Sequence, residues 1–136
     1  MAMEQPERHR IHRAGTCIQP APTGIASKPF WVETLVEAAD GTAGAMIATL
    51  EPGTVPHWHS HPTGQILYVL SGVGLMRRDG GLVTELRAGD CISFDPDERH
   101  WHGATPTTTF SYLSIQTARD GRTVIWFEPV SSGDSQ

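Results

Sequence analysis

The sequence predicts an all-β domain, a small sandwich or closed barrel, and three observations carry that prediction. Apolar residues recur in short β-rich runs, and turn signals separate those runs at near-regular intervals. No segment sustains the 3.6-residue apolar period of an amphipathic helix. The 14 Gly and 10 Pro spread through 136 residues do the cutting. A chain of this length has room for one core and one domain.

The elements follow in order. The first 25 residues are polar, contain Pro and show no pattern; they predict an arm (1–25) ahead of a folded unit (26–130), lying over a partner subunit or disordered. Phe30–Val36 opens the unit as a strand and runs out at the turn Ala39-Asp40-Gly41. Ala43–Leu50 follows, ended by Glu51-Pro52-Gly53. Gln65–Leu70 and Gly74–Arg78 read as two strands, and Asp79-Gly80-Gly81 as a hairpin turn into Gly81–Leu86. Arg87-Ala88-Gly89-Asp90 leads to Cys91–Phe94, and Asp95-Pro96-Asp97 closes that strand. Thr107–Gln116 and Thr123–Glu128, with Arg119-Asp120-Gly121 between them, complete the set, and 131–136 reads as a loose tail. There is no internal repeat.

Composition narrows the function. Hydrophobic residues make up 38% and charged residues 18%, ordinary values for a globular protein. No apolar run approaches the roughly 20 residues a bilayer span needs, and the first residues lack the apolar stretch of a secretory signal. A cytoplasmic protein without membrane partners is expected. A net charge of -5 argues against nucleic acid as a partner. Cys17 and Cys91 allow one bridge at most and are read as two reduced thiols. No Gly-x-Ser-x-Gly elbow and no Cys–His pair supports covalent catalysis.

The chemistry concentrates in two histidine segments, His57-Trp58-His59-Ser60-His61 and His100-Trp101-His102. A strand points alternate side chains to one face, so His57, His59 and His61 share a face, as do His100 and His102. Imidazoles held convergently on a sheet are good ligands for a divalent transition metal. Gln65, after the turn Pro62-Thr63-Gly64, offers a neutral amide oxygen as a further donor. Trp58 and Trp101 alternate with the histidines and are expected to point away from them, packed between sheets or at an interface. Trp31 and Trp126 are expected in the core or an interface, and His9 and His12 in solvent.

These residues resemble the two motifs of the cupin superfamily. The first motif appears as Gly53, five residues, His59-Ser60-His61, three residues, Gln65, six residues and Gly72, with Gln65 in the usual Glu position. The second appears as Gly89, five residues, then Asp95-Pro96-Asp97-Glu98-Arg99-His100, with Asp95 and Asp97 replacing the customary Pro and Gly and Ala104 the final Asn. The resemblance implies a single-domain cupin, a double-stranded β-helix or small jelly-roll barrel. More closely, the run from His59 through Pro106-Thr107-Thr108 to Gln116 resembles the small bacterial cupins that act as manganese-dependent hydroxynitrile lyases. That resemblance implies a metal held by His59, His61, Gln65 and His100. Manganese is expected first, with iron, nickel or zinc as alternatives. The lyases carry a second active-site His where this chain has Tyr112.

The flanking positions acquire expected roles from strand alternation. His102 is expected to act as a general base or acid beside the metal, and Tyr112 as a donor to a bound oxyanion. His57 is expected at the barrel mouth. Met46, Ala48 and Gln116 are expected to line a substrate pocket. Neutral ligands leave the full charge on a divalent metal, which favours Lewis-acid work on an alcohol or carbonyl oxygen. The leading expectation is a lyase acting on a small cyanohydrin or related aldehyde adduct. The alternatives are a cupin oxygenase or isomerase on a small aromatic or hydroxylated substrate, and a non-catalytic small-molecule binder. A homodimer or homotetramer is expected, because a barrel this small leaves open sheet edges and apolar surface.

Overall fold

A computed structural model describes residues 11–135; Gln136 and the first ten residues of the expected arm, His9 included, lie outside the described residues. Among the described residues there are ten strands and no helix, so no helix is long and apolar enough to cross a membrane. The strands are β1 (Ile18–Pro20), β2 (Trp31–Val36), β3 (Gly44–Leu50), β4 (His59–Ser60) and β5 (Gln65–Arg78). They continue with β6 (Thr84–Arg87), β7 (Cys91–Phe94), β8 (His100–Ala104), β9 (Phe110–Gln116) and β10 (Ile125–Trp126). All pairings between them are antiparallel.

The architecture turns on β5. Its first half lies between β7 and β9, and β9 leads on through β3 and β2 to β1. Its second half lies between β6 and β8, and β8 leads on through β4 to β10. One 14-residue strand therefore belongs to two sheets and folds them over each other. The bend sits at Gly72, whose φ is 77° and where an added Cβ would lie 1.9 Å from the Thr109 carbonyl oxygen. Glycine is required there. The sequence expectation of two separate strands, Gln65–Leu70 and Gly74–Arg78, fails at this point. Ser71-Gly72 has turn composition, yet the strand bends and passes to new partners without breaking.

Period-two alternation fills the interior. Leu67 and Val69 of β5, Leu50 of β3, Phe110 of β9 and Phe94 of β7 are buried in one core. Their neighbours Ile66, Tyr68 and Leu70 point outward and are 46%, 42% and 41% exposed. Burying the inner set supplies the main cohesion, since apolar area removed from water contributes roughly 25 cal/mol per Å².

Both ends of the described residues close onto this barrel. Ile18–Pro20 of the expected arm pairs with β2, His12 hydrogen-bonds Glu33 at 2.6 Å, and Ala21 and Ile25 pack against the core. At the other end, the Asp134 carboxylate accepts from Trp58 Nε1 at 3.1 Å and from the Ser131 amide at 2.9 Å. Trp58 is covered by this segment and by the Arg99 guanidinium, 4.3 Å from its ring, rather than by a second sheet. Trp31, expected in the core or an interface, is 49% exposed on this chain. Cys17 and Cys91 are exposed free thiols.

Candidate metal centre and its cavity

Three histidines converge on one point inside the barrel. His59 on β4 pairs in register with His100 at the start of β8, and their rings lie 4.4 Å apart. His61 follows β4, with its ring 5.1 Å from His59 and 5.5 Å from His100. One ring nitrogen from each of the three lies within 4.8 Å of the others, and all three side chains are buried. The spacing within each His-x-His places alternate residues on the inner face, and the β4–β8 pairing brings the two segments together.

The tautomers follow from the hydrogen bonds. His59 Nδ1 donates to the His57 carbonyl at 2.8 Å, His61 Nδ1 to the Thr123 carbonyl at 2.7 Å, and His100 Nδ1 to the Glu98 carbonyl at 2.9 Å. A carbonyl only accepts, so each Nδ1 carries the proton and each Nε2 presents a lone pair inward. Burial holds all three imidazoles below their usual pKa, His100 at about 4, so they are neutral near pH 7. Phe94 stacks on His100 with ring centroids 3.6 Å apart, and the Arg78 guanidinium lies over the Phe94 ring, 4.8 Å from its centroid.

Gln65 faces the same point. Its Nε2 donates to Ser114 Oγ at 2.8 Å, and Ser114 in turn donates to Gln116 Oε1 at 2.6 Å. That chain leaves Gln65 Oε1 facing His100 Nε2 at 3.3 Å. Two acceptors therefore face each other with no proton between them, and His61 Nε2 is buried without any partner. Such a convergence of lone pairs is unfavourable until a cation accepts them. The His cluster fits a divalent metal, with three imidazole nitrogens and one amide oxygen as an uncharged donor set.

A cavity of about 260 Å³ opens beside the cluster. Phe30, Val32, Met46 and Trp126 form apolar wall; His102, Tyr112 and Gln116 form polar wall. His102 is 2% exposed, and neither of its ring nitrogens has a hydrogen-bond partner. Burial, then the neighbouring His100 and His61, lowers its pKa well below the usual value, so it is a neutral imidazole. The Tyr112 ring meets it edge-on at 4.9 Å, and burial pushes the Tyr112 hydroxyl above its usual pKa, so it keeps its proton.

The structure brings together His59, His61, Gln65, His100, His102, Tyr112, Met46 and Gln116, all expected from sequence. Ala48 is not among the cavity-lining residues: it is fully buried in the core, opposite Tyr112 in the β3–β9 register. His57 contributes its carbonyl to His59 and stays outside the cluster. Sequence reasoning missed Ser114, although period two places it between Tyr112 and Gln116. It also missed the cavity-lining position of Trp126, whose ring lies 4.8 Å from His59, and the wall formed by Ala21, Pro22 and Ile25.

A curled antiparallel barrel with inward histidines at these spacings defines the cupin class. The chain belongs to the cupin family, whose Cupin domain profile matches residues 46–116. Within that family it is 46% identical over 102 residues to an (R)-mandelonitrile lyase of Granulicella tundricola, spanning 74% of this chain and 77% of that protein. A cupin-like protein of Thermotoga maritima superposes with a TM-score of 0.79 at 30% identity, covering 93% of this chain and 94% of the other. The polyketide cyclase RemF of Streptomyces resistomycificus shares the fold at 20% identity, with a TM-score of 0.70 over 93% and 89% of the two chains.

Proposed function

We propose that this protein is a metal-dependent lyase of the hydroxynitrile lyase type, cleaving a small cyanohydrin to an aldehyde and hydrogen cyanide. The observation that carries the reading is the 46% identity to a mandelonitrile lyase across three quarters of the chain. The cavity supports it: an unpartnered neutral imidazole and a protonated phenol face apolar wall beside the histidine cluster. His59, His61, Gln65 and His100 would hold a divalent metal, which supplies Lewis-acid polarisation of a substrate oxygen.

The chain's own residues account for the proton. His102 accepts the substrate hydroxyl proton as the carbon–carbon bond breaks and its electron pair leaves with cyanide. The imidazolium then returns that proton to cyanide, so the ring ends neutral and hydrogen cyanide departs. Tyr112 keeps its proton and donates a hydrogen bond to the developing charge. The Phe30, Val32 and Trp126 wall takes the apolar arm of the substrate and excludes water.

The test is cleavage of mandelonitrile by protein loaded with Mn(II). Weak activity is expected, because a phenol cannot serve as the second base that a histidine at position 112 would supply. Replacing His102 by Ala should lower turnover by a factor of roughly 10²–10⁴, and Tyr112→His should raise it. If loaded wild type and Tyr112→His both give only the uncatalysed rate, the lyase reading is wrong.

A further inference from the structure

We infer that Gln116 is a positioning residue that sets the direction of Gln65's amide, and through it the fourth metal donor. The inference rests on the metal reading of the site, and it concerns a hydrogen-bond chain that the motif does not include.

The chain runs from Gln65 Nε2 to Ser114 Oγ and from Ser114 Oγ to Gln116 Oε1. Ser114 is fully buried, so its hydroxyl must find both its bonds within the protein. A hydroxyl that donates to Gln116 can only accept from Gln65, and that fixes which end of the Gln65 amide faces inward. With this polarity Gln65 presents Oε1 to the histidines and can bind a cation.

The reverse polarity is also chemically complete. If Ser114 donates to Gln65 instead, the Gln65 amide turns over and its Nε2 faces His100. His100 Nε2 carries a lone pair 3.3 Å away, so the turned amide makes a good hydrogen bond there. That arrangement gives His100 Nε2 a donor in the metal-free site and turns Gln65 Oε1 away from the histidines. What favours the binding arrangement is Gln116 Oε1 at the far end of the chain; were that amide to turn as well, its Nε2 would donate to Ser114 and the polarity would reverse. Gln116 lies half-buried at the cavity wall, so this acceptor stands where a bound molecule reaches it.

The experiment measures Mn(II) affinity by competition titration on the full chain, with the melting temperature of each metal-free variant recorded as a check on folding. Gln116→Leu removes the acceptor and should weaken Mn(II) binding by about 10- to 100-fold, the usual effect of losing a group that orients a ligand. Gln116→Glu, which can only accept from Ser114, should keep wild-type affinity or better. Ser114→Ala, which breaks the chain at its centre, should weaken binding as Gln116→Leu does. The decisive comparison uses Gln65→Glu, whose two carboxylate oxygens have no wrong end. In that background Gln116→Leu should change affinity by less than about threefold. Unchanged affinity in Gln116→Leu, or an equal loss in the Gln65→Glu background, overturns the inference while leaving the metal site standing. Wild type that binds no Mn(II) overturns both.

Discussion

At the scale of single residues, the centre is organised by what each polar atom lacks. His59, His61 and His100 each spend Nδ1 on a backbone carbonyl, which commits Nε2 to the interior. Removing one ring takes away a donor and leaves the others too few to compete with water for a cation. His59→Ala should therefore abolish stoichiometric metal binding, read by metal analysis after dialysis; full occupancy in that variant would refute the site. His102 is the contrasting case, with both nitrogens unspent and a place on the cavity wall. Its replacement should leave metal content unchanged while turnover falls, which separates a proton carrier from a ligand.

At the scale of elements, two features keep the site in shape. Gly72 lets β5 serve both sheets, so Gly72→Ala must relieve a Cβ pressed against the Thr109 carbonyl and a left-handed φ. A loss of roughly 2–4 kcal/mol is expected in denaturant unfolding, and a variant as stable as wild type would contradict the bend. The second feature is the clamp on β10. The Arg99 guanidinium forks onto the Glu128 carboxylate at 2.8 and 2.6 Å and stacks on Trp58. Trp126, two residues before Glu128, packs on His59, so the clamp holds one wall of the cavity.

That clamp carries a pH signature. The Arg99 side chain, then a backbone hydrogen bond, lowers the Glu128 pKa from 4.5 to about 2. A folded pKa below the unfolded one means the unfolded state binds the proton more readily. The contribution is therefore complete above about 4.5 and is lost as pH falls towards 2. Glu128→Gln should melt slightly below wild type at pH 7, and the gap should close near pH 2. The effect is small because the carboxylate is solvent-exposed. A gap that widened on acidification would reverse the sign and refute the assignment.

At the scale of the whole molecule, the outer face of the first sheet is unusually apolar. Tyr68, Leu113 and Ile47 stand opposite one another across β5, β9 and β3, and Ile66 stands beside Ile115. Tyr68 and Ile66 are each more than two fifths exposed, with Leu70 beyond them. We propose that this face meets a second copy of the chain, as the expected homo-oligomer requires. Light scattering should give a dimer or larger assembly, and Tyr68→Glu should shift it towards monomer. A wild-type monomer at micromolar concentration would end the proposal.

The same outer face shows why part of the architecture stayed hidden in the sequence. Strands β5 and β9 are apolar on both faces near the site, and their inward positions include Gln65, Tyr112 and Ser114. A rule that sends apolar residues inside cannot choose between the two faces of these strands, and only the resemblance, through Gln65 and Tyr112, says which face points inward. Asp97 was equally readable only in part. It replaces the customary glycine of the second motif, and it takes that glycine's left-handed conformation with φ 63°. Asp tolerates this region better than most residues, so the departure left the turn before His100 intact.

By itself the sequence determined what local geometry fixes. Alternation along a strand put His59 beside His61 and His100 beside His102 whatever their surroundings, and turn residues placed most strand ends. The tertiary structure alone decided what depends on segments far apart in the chain. It set Gln65 against Ser114, 49 residues away, and the His61 ring against the Thr123 carbonyl, 62 residues away. It also laid Trp126 on His59 and carried β5 through Gly72 into two sheets. The reason is physical: the direction of neighbouring side chains is set by covalent geometry, whereas the meeting of distant ones is set by how the whole barrel closes.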